Sequence, residues 1–577
     1  MARNRTSIDT SLPDLTAGGA ILARLQEIGI KHVFVNSGTD FPPIIEGAAA
    51  AAAHGQELPS IVVAPHEHVA MGMAYGYHKM SGRTPVAMLH TNVGLANAAT
   101  GIINAACENI PLVVMSGRTP ATERGRFGAR TVPIGWGQEM RDQAALVRES
   151  CKWDYELRYP EQICELVDRA YAIANSTPRG PVYLALPREA LCEPVARDEL
   201  GAKLRFAPAT ASPVPSELRL AAHWIVAADN PLVIAQRGAG SNRGFRTLEK
   251  MVEDWAIPVC SWWATALPLS TEHMCYCGSN PSPLLERADL VIVLNSLAPW
   301  CPDEHGVHSE ARFIHIGPDP IFARFPVRNF RADLALVGET EDILAKLESE
   351  LAAVGNWDTA LVEERRQAVG SLADRIRRRR RAGAEIGLSG RLTKRGVSLA
   401  LGKALKGMKS TVFSELGVEL DVLGRREHNS WFQEPHAGGL GWSFPAALGA
   451  RLADPKRLYV AAMGDGSYMF SNPVAAHQVS EACGIPLLVV VLNNREWGAV
   501  RKSVRELYPD GYAARANSMP MTGLEPSPDF SAIARACGAR AFKVKEAEHL
   551  EETLTAAVEW VVKSGSQTFV EVIVDRD

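Results

Sequence analysis

The residues best suited to chemistry form two polar groups that follow apolar runs in the last third of the chain. A Gly-Asp-Gly-Ser motif occupies 464–467, and an Asn-Asn pair occupies 493–494. Aspartate and asparagine side chains supply the hard oxygen ligands that Mg²⁺ and Ca²⁺ prefer. Glycine lets the backbone approach a ligand closely, and free N–H groups at a helix start can receive a phosphate. Together the two groups predict a divalent metal bound with a diphosphate-bearing cofactor.

The elements around these motifs would bring them to one edge of a sheet. The runs at 458–463 and 486–492 are apolar and read as buried strands, and residues 468–483 between them show helical apolar spacing. Continuous apolar strands are typical of parallel sheets that are covered on both faces. Ligands of open α/β sheets bind at the carboxyl ends of the strands. Asp465 would therefore end one strand, and Asn494 would follow the next.

The complete pattern is Gly-Asp-Gly, then 26 intervening residues, then Asn-Asn. This pattern resembles the signature of thiamine-diphosphate enzymes. The resemblance implies that Asp465, Asn494 and the backbone carbonyl of Glu496 bind Mg²⁺. It also implies that Gly466 and Ser467 contact the cofactor. Thiamine diphosphate and Mg²⁺ are thus the expected cofactors.

A second resemblance to the same enzymes lies far upstream. Glu67 precedes the sequence Ala-x-x-Met-Ala-x-Gly-Tyr at 70–77, which is similar to the family's pyrimidine-binding pattern. The cofactor becomes a nucleophile when its own amino group removes the C2 proton. A protein carboxylate that is hydrogen-bonded to the pyrimidine ring promotes that step. The protein's share is orientation and electrostatics, and the carbanion chemistry belongs to the cofactor. The resemblance implies that Glu67 is this carboxylate.

The resemblance covers almost the whole chain and is closest to the decarboxylase and acetolactate-synthase-like branch, most of all to benzoylformate decarboxylases. The sequence Gly-Gly-Leu-Gly at 438–441 is similar to a family segment that precedes the metal motif. By this match the Gly438 carbonyl accepts a hydrogen bond from the cofactor's amino group. Leu440 would be the wedge that bends the two cofactor rings toward each other.

Two further residues match positions that contact the substrate in benzoylformate decarboxylases. Thr39 stands where those enzymes carry a serine whose hydroxyl meets the substrate carboxylate. His90 lies in a segment that resembles the loop of their catalytic histidine. A histidine is well suited to give and take protons near neutral pH. The resemblance therefore implies that Thr39 and His90 are catalytic.

The cofactor motifs leave several reactions open. The leading expectation is a decarboxylase or carbon–carbon lyase for a 2-oxo acid, working through a carbanion-enamine. Acetolactate-synthase-type carboligation is an alternative, as is a 2-hydroxyacyl-CoA lyase in which the Glu496 carboxylate acts as acid or base. The Gly-rich turn at 237–242 could bind FAD or the ADP part of coenzyme A, so a flavin-dependent oxidase is a further, less favoured alternative. Relatives that have lost catalysis usually lack the pyrimidine-activating acid, which argues against a silent cofactor-binding homologue.

The chain is long enough for three doubly wound α/β domains with parallel sheets. Strands are predicted at 32–35, 60–64, 85–89, 112–115, 182–185, 231–235, 290–294, 313–316 and 568–574. The predicted segments are a flexible tail at 1–14, a pyrimidine-binding domain at 15–195, a central domain at 210–350, an Arg-rich linking segment at 351–389 and a diphosphate-binding domain at 390–577. The arginines of the linking segment suit either a phosphate clamp or a solvated helix.

Composition restricts the partners. The net charge of −4 offers no electrostatic argument for binding nucleic acid or an anionic membrane. The ten cysteines show no disulfide or zinc spacing, and no signal peptide or membrane span is apparent, so a cytoplasmic protein is expected. The family resemblance implies a homodimer or homotetramer in which Glu67 of one subunit meets the metal motif of its partner. The expected substrate is a small 2-oxo acid or 2-hydroxyacyl compound.

Overall fold

The computed structural model describes residues 15–196, 200, 206–355, 357–386 and 390–576. The predicted flexible tail at 1–14 and the end of the predicted linking segment lie outside these residues. Three sheets of the described chain are wholly parallel, and each is built from a separate segment. The prediction of three α/β domains with parallel sheets is confirmed.

The first sheet has the strand order β3-β2-β4-β5-β7-β6, and β1 pairs separately with β8 in an antiparallel ribbon. Helices connect its parallel strands, as parallel pairing requires. In chain order the elements are β1 (Leu15–Thr16), α1 (Ala17–Glu27), β2 (His32–Asn36), α2 (Pro42–Ala53), β3 (Ser60–Val63), α3 (Glu67–Ser81), β4 (Val86–Leu89), α4 (Thr91–Cys107), β5 (Val113–Arg118), α5 (Ile134–Gly137), β6 (Asp154–Glu156), α6 (Ile163–Asn175), β7 (Val182–Pro187), α7 (Arg188–Cys192) and β8 (Pro194–Val195).

The central sheet has five strands in the order β10-β9-β11-β12-β13. The Arg-rich run predicted as a linking segment lies on a 28-residue helix, α12. The elements are α8 (Pro215–Ala227), β9 (Pro231–Ala235), α9 (Asn242–Asp254), β10 (Val259–Cys260), α10 (Ser282–Leu285), β11 (Leu290–Leu294), β12 (Arg312–Gly317), β13 (Leu334–Val337), α11 (Thr340–Ala353) and α12 (Thr359–Ile386).

The last sheet has six strands in the order β15-β14-β16-β17-β19-β18. Its elements are α13 (Lys394–Ala404), β14 (Ser410–Glu415), α14 (Leu420–Leu423), β15 (Trp431–Gln433), α15 (Ser443–Ala453), β16 (Leu458–Gly464), α16 (Asp465–Phe470), α17 (Pro473–Ala482), β17 (Leu488–Asn493), α18 (Gly498–Leu507), α19 (Tyr512–Ala516), α20 (Phe530–Ala536), β18 (Arg540–Val544), α21 (Leu550–Ser564) and β19 (Thr568–Ile573). Every residue of β17 is buried, as expected for a central parallel strand.

The chain divides into two compact units. The first unit contains the N-terminal segment to Ala209 together with Pro435–Asp454, and the second contains Thr210–Glu434 and the chain from Pro455 onward. The segment Pro435–Asp454 includes α15, so this helix belongs to the compact unit that carries the first sheet. In sequence, α15 lies within the predicted diphosphate-binding domain at 390–577.

Glycines allow α3 and α15 to pack backbone to backbone inside the first unit. A Cβ atom on Gly76 would lie 1.8 Å from the carbonyl oxygen of Ala446, and one on Gly449 would lie 1.8 Å from that of Met73. Neither position can carry a side chain at this helix separation. The close contact fixes the start of α3, where Glu67 lies, relative to the loop that leads into α15 and contains residues 438–441.

No helix in the described part of the chain is long and apolar enough to span a membrane.

Candidate active site

The predicted metal motif of the second unit lies at the carboxyl ends of two adjacent strands. β16 and β17 pair in parallel with Gly464 opposite Leu492, so Asp465 and Asn494 follow neighbouring strand ends. Asp465 is 2% exposed, and its Oδ2 atom has no hydrogen-bond partner among the described residues. Burial raises the pKa of Asp465 to about 6, and the charge of Glu496 contributes in the same direction. A buried carboxylate oxygen without a donor is well suited to a cation.

Asn494 and Glu496 lie on a tight turn after β17. The side-chain oxygen of Asn494 accepts a hydrogen bond from the backbone N–H of Glu496 at 3.1 Å. The carbonyl of Glu496 accepts one from the N–H of Gly498 at 2.9 Å. Each of these oxygens retains a second lone pair, so both can also bind a metal. The turn therefore presents the oxygen donors that the sequence assigns to Mg²⁺.

The Glu496 side chain is held by arginines. It is 4% exposed, and its Oε2 atom lies 3.5 Å from Nη1 of Arg501 and 4.0 Å from Nε of Arg576. Its Oε1 atom is buried and has no hydrogen-bond partner within the described chain. Sequence reasoning missed Arg501, although its position on α18, five residues after Glu496, places it within reach of that carboxylate.

Gly466 and Ser467 lie in the first turn of the short helix α16. A Cβ atom on Gly466 would lie 2.2 Å from the Trp497 ring, so this glycine accommodates a tryptophan from the neighbouring turn. Ser467 is 9% exposed, and its carbonyl accepts a hydrogen bond from Ser471 at 3.0 Å. The ring of Trp497 thus packs the metal-motif turn against the turn that carries Asn494 and Glu496.

Glu67 is the first residue of α3 in the first unit. It is 8% exposed, and Asn97 Nδ2 on α4 donates a hydrogen bond to its Oε2 atom at 3.0 Å. A Cβ atom on Gly94 would lie 3.0 Å from its Oε1 atom, so a side chain at this position of α4 would crowd the carboxylate. Asn97 was not singled out by sequence. Its amide fixes the orientation of the carboxylate.

The side chains of His90 and Asp40 are positioned as an ion pair. Both residues follow the ends of adjacent parallel strands, His90 after β4 and Asp40 after β2. Nδ1 of His90 lies 2.5 Å from Oδ1 of Asp40, and Asp40 is 4% exposed. The hydrogen bond to Asp40 raises the pKa of His90 despite partial burial. Because the carboxylate accepts a hydrogen bond from Nδ1, Nε2 is the nitrogen available for proton transfer, and it lies 3.4 Å from the side-chain nitrogen of Gln138.

Space for this pair comes from two glycines. A Cβ atom on Gly38 would lie 2.1 Å from Nδ1 of His90, and one on Gly117 would lie 1.4 Å from Oδ2 of Asp40. Thr39 lies between Gly38 and Asp40 in an exposed turn, and its carbonyl accepts a hydrogen bond from Arg188 at 3.3 Å. Sequence reasoning missed the role of Asp40, which depends on β2 and β4 being neighbours.

We expect Asp40→Asn to lower the pKa of His90, because an uncharged amide no longer favours the imidazolium. A raised folded-state pKa contributes stability that is present below the unfolded value of about 6.5 and is lost as pH rises through the folded value. In urea unfolding of the protein, the free energy of unfolding of the variant should therefore be lower than that of the wild type by about 1 kcal/mol at pH 5.5. The difference should be smaller at pH 8.5. Glu46→Gln, which removes an exposed carboxylate on α2, is the control. An equal decrease in the free energy of unfolding at both pH values would show that His90 and Asp40 do not form a charged pair.

The loop before α15 is anchored by Asn104. The side chain of Asn104 is 1% exposed, donates to the carbonyl of Gly439 at 3.0 Å and accepts from its N–H at 3.1 Å. Gly438 adopts a left-handed conformation with φ +70°, and a Cβ atom there would meet nothing within 4 Å. Leu440 is partly buried. The residues assigned to the cofactor, Gly438 and Leu440, thus flank a fixed peptide.

The Gly-rich turn of the central segment is close to a carboxylate. A Cβ atom on Gly240 would lie 2.0 Å from Oε2 of Glu341, and Ser241 caps α9 by accepting a hydrogen bond from Gly244 at 3.2 Å. A negative charge here would oppose the diphosphate of FAD or ADP, but Arg237 begins the same turn and carries the opposite charge. Nucleotide binding at 237–242 therefore stays a prediction.

Three family models match the chain in order. They are the N-terminal TPP-binding domain of thiamine pyrophosphate enzymes at 15–146, the central domain at 218–347 and the C-terminal TPP-binding domain at 418–572. Together they span well over half of the chain. The chain belongs to the thiamine pyrophosphate enzyme family, and the expected enzyme class and thiamine diphosphate cofactor are confirmed.

Curated relatives match nearly the whole chain at low identity. A probable 2-ketoarginine decarboxylase from Pseudomonas aeruginosa is 27% identical, covering 94% of this chain and 92% of the relative. Benzoylformate decarboxylase from the same species is 28% identical, covering 92% of this chain and 95% of the relative. The large subunit of acetolactate synthase isozyme 3 from Escherichia coli is 26% identical, covering 97% of this chain and 95% of the relative. The chain is thus a thiamine-diphosphate enzyme of the decarboxylase and acetolactate-synthase type.

A solved structure shows the same fold. The thiamine diphosphate-dependent 4-hydroxybenzoylformate decarboxylase of Rhodococcus jostii RHA1 matches with a TM-score of 0.78 and 22% identity, covering 97% of this chain and 99% of that chain. At this identity the match supports the fold alone.

Proposed function

We propose that the protein is a thiamine-diphosphate- and Mg²⁺-dependent 2-oxo acid decarboxylase or carbon–carbon lyase of the benzoylformate decarboxylase kind. The observation that carries the proposal is the Asp40–His90 pair, which fixes one imidazole nitrogen and leaves the other for proton transfer. A decarboxylase that releases an aldehyde needs a proton donor at the carbanion carbon, whereas carboligation needs the proton on the alkoxide that forms from the acceptor carbonyl. The similarity to benzoylformate decarboxylase supports the same choice.

The second unit would hold the metal and the diphosphate. Asp465, Asn494 and the Glu496 carbonyl would bind Mg²⁺, and the N–H groups near Gly466 and Ser467 would face the diphosphate. The unpartnered Oδ2 atom of Asp465 and the carbonyl and amide oxygens of the next turn fit a hard divalent ion.

The first unit would hold the organic end of the cofactor. Glu67 would donate or accept a proton at the pyrimidine ring, the Gly438 carbonyl would accept from the amino group, and Leu440 would support the bent ring arrangement. Thiamine diphosphate would supply a carbon nucleophile for the substrate carbonyl and an electron sink for the electrons released with CO₂. Thr39 would bind the substrate carboxylate, and His90 would deliver a proton from Nε2.

The alternatives remain distinct reactions of the same site. Carboligation of the acetolactate-synthase type is supported by the third relative. A 2-hydroxyacyl-CoA lyase would use the Glu496 carboxylate, but Arg501 lies 3.5 Å from that group and competes for it. A flavin-dependent oxidase stays the less favoured alternative, with the central Gly-rich turn at 237–242 as its candidate site.

Product analysis separates these reactions. The holoenzyme would be supplied with benzoylformate, with pyruvate in the presence and absence of an aldehyde, and with a 2-hydroxyacyl-CoA. A decarboxylase releases CO₂ and an aldehyde in equal amounts. Acyloin or acetohydroxy acid as the main product would favour carboligation, and products from the thioester alone would favour the lyase.

We also propose a homodimer or homotetramer in the cytoplasm, with each active site shared between Glu67 of one chain and the metal motif of its partner. All ten cysteines are free thiols, which fits a reducing compartment. The family resemblance carries the oligomeric part of the proposal.

Mixing two inactive variants tests the shared site. If Glu67→Gln and Asp465→Ala chains exchange subunits randomly, half of the dimers are hybrids. One of the two sites in each hybrid then pairs an intact Glu67 with an intact Asp465. We expect about one quarter of wild-type activity to return, an estimate that rests on closed two-fold symmetry. Mixtures that exchange subunits, shown by native mass spectrometry, but stay inactive would place both residues of each site in one chain.

A further inference from the structure

The second unit contains a cavity beside the predicted metal motif. Its volume is about 370 Å³, and Glu496 lines one side of it. Cavities of roughly 300–1,000 Å³ are typical of small-molecule sites. The residues that build it follow β17 and β19, whose carboxyl ends share an edge with that of β16 and Asp465.

Arginines dominate the wall of this cavity. Arg501 and Arg505 lie four residues apart on α18 and therefore face the same side of that helix. Arg576 follows β19 and completes the wall. A guanidinium group offers a planar fork of donors that matches the oxygens of a carboxylate, sulfonate or phosphate.

Neighbouring groups fix the arginine positions. Asn517 ends α19 in a left-handed conformation with φ +49°, and its side-chain oxygen accepts hydrogen bonds from Arg501 and from Arg505, the latter at 3.0 Å. Nη2 of Arg576 lies 3.0 Å from a carboxylate oxygen of Glu525. Donors that are held in place before binding lose less entropy when a ligand arrives.

The charges of the cavity wall favour an anion. Arg501, Arg505 and Arg576 outnumber the two carboxylates, Glu496 and Glu525. Glu496 is buried against Arg501 and Arg576, so its charge is opposed within the wall. Its Oε1 atom is buried and has no hydrogen-bond partner in the described chain.

We propose that this cavity binds a second acidic group of the substrate, so that the preferred substrate is a 2-oxo acid or related compound with an anionic far end. The inference rests on the proposed function, in which the carbonyl of Glu496 binds Mg²⁺ while the side chain of the same residue lines the cavity. A carboxylate, a sulfonate and a phosphonate share the required chemistry. A cationic far end would meet a wall in which three arginines outnumber two carboxylates, so it should bind more weakly than an anionic one.

Chain-matched substrates test the proposal on the holoenzyme. We would compare CO₂ release from 2-oxoglutarate, 2-oxopentanoate and 2-oxo-5-guanidinopentanoate, and from the sulfonate and phosphonate analogues of the first. We expect kcat/KM for the dianions to exceed that for 2-oxopentanoate at least tenfold, with the cationic substrate poorest. The best of the carboxylate, sulfonate and phosphonate compounds would identify the acidic group.

A variant of the cavity sharpens the test. Arg505 is exposed, so Arg505→Gln should fold, and we expect it to reduce the ratio of dianionic to neutral kcat/KM about tenfold. The matched control is Lys502→Gln on the same helix, which removes an exposed positive charge outside the cavity and should leave the ratio unchanged. Equal kcat/KM for dianion and neutral substrate, or a ratio that Arg505→Gln does not alter, would overturn the proposal.

Failure of the proposed function can be distinguished from failure of the anion site. If no 2-oxo acid releases CO₂, the proposed decarboxylase function is wrong. Calorimetric titration of the holoenzyme with glutarate and pentanoate then tests separately whether the cavity binds an anion. Glutarate binding that Arg505→Gln weakens would uphold the anion site, and equal or absent binding of both acids would overturn it.

Discussion

Replacing Glu67 with glutamine is expected to lower kcat by about 10²–10⁴-fold, the range typical of a positioned acid–base group. Glutamine keeps the size of the side chain and can still accept the hydrogen bond from Asn97, but it cannot share a proton with the pyrimidine ring. Thiamine diphosphate should therefore bind with nearly unchanged affinity. The exchange of its C2 proton for deuterium should slow in parallel with kcat.

Proton NMR of acid-quenched samples measures this exchange directly. Glu46→Gln is the matched control, since it makes the same change at an exposed position of α2 and should leave the exchange rate unaltered. A Glu67→Gln variant that exchanges the C2 proton at the wild-type rate would remove Glu67 from its proposed role.

Replacing Asp465 with alanine is expected to raise the Kd for thiamine diphosphate in the presence of Mg²⁺ by 100-fold or more. Asp465 is the one acidic side chain of the proposed ligand set, and loss of an outer-shell partner alone commonly costs about 10–100-fold. Burial raises the pKa of this group to about 6, so its ionised form disfavours folding at neutral pH. Thermal unfolding of the ligand-free variant should therefore begin no earlier than that of the wild type.

Calorimetric titration with and without Mg²⁺ measures the effect. Asp510→Ala, which removes an exposed carboxylate of the same unit, should bind the cofactor like the wild type. Tight cofactor binding by Asp465→Ala that does not depend on Mg²⁺ would show that Asp465 is not a metal ligand.

Strands with continuous apolar runs could be predicted from sequence. The predictions at 231–235 and 290–294 coincide with β9 and β11, because buried parallel strands exclude polar side chains. β14 (Ser410–Glu415) was not predicted, although all six of its residues are buried. Its polar side chains are satisfied by tertiary contacts, such as the hydrogen bond from Arg425 to Ser410 at 2.8 Å, and such contacts leave no local pattern.

The same limit applies to the candidate site. Asp465, Glu67 and His90 follow recognisable local patterns, so sequence could single them out. Asp40 pairs with His90 only because β2 and β4 are adjacent, and Asn104 meets Gly439 across 335 positions of the chain. Strand order and long-range contacts are set by packing of the whole unit and cannot be read from local spacing.

Cofactor-dependent CO₂ release tests the central claim most directly. The protein would be stripped of metal and cofactor, then supplied with a panel of 2-oxo acids with Mg²⁺ and thiamine diphosphate added together or singly. We predict CO₂ release with an equivalent amount of aldehyde only when both are present. Release of CO₂ by the stripped protein, or no release from any 2-oxo acid by the fully reconstituted protein, would contradict the proposed decarboxylase.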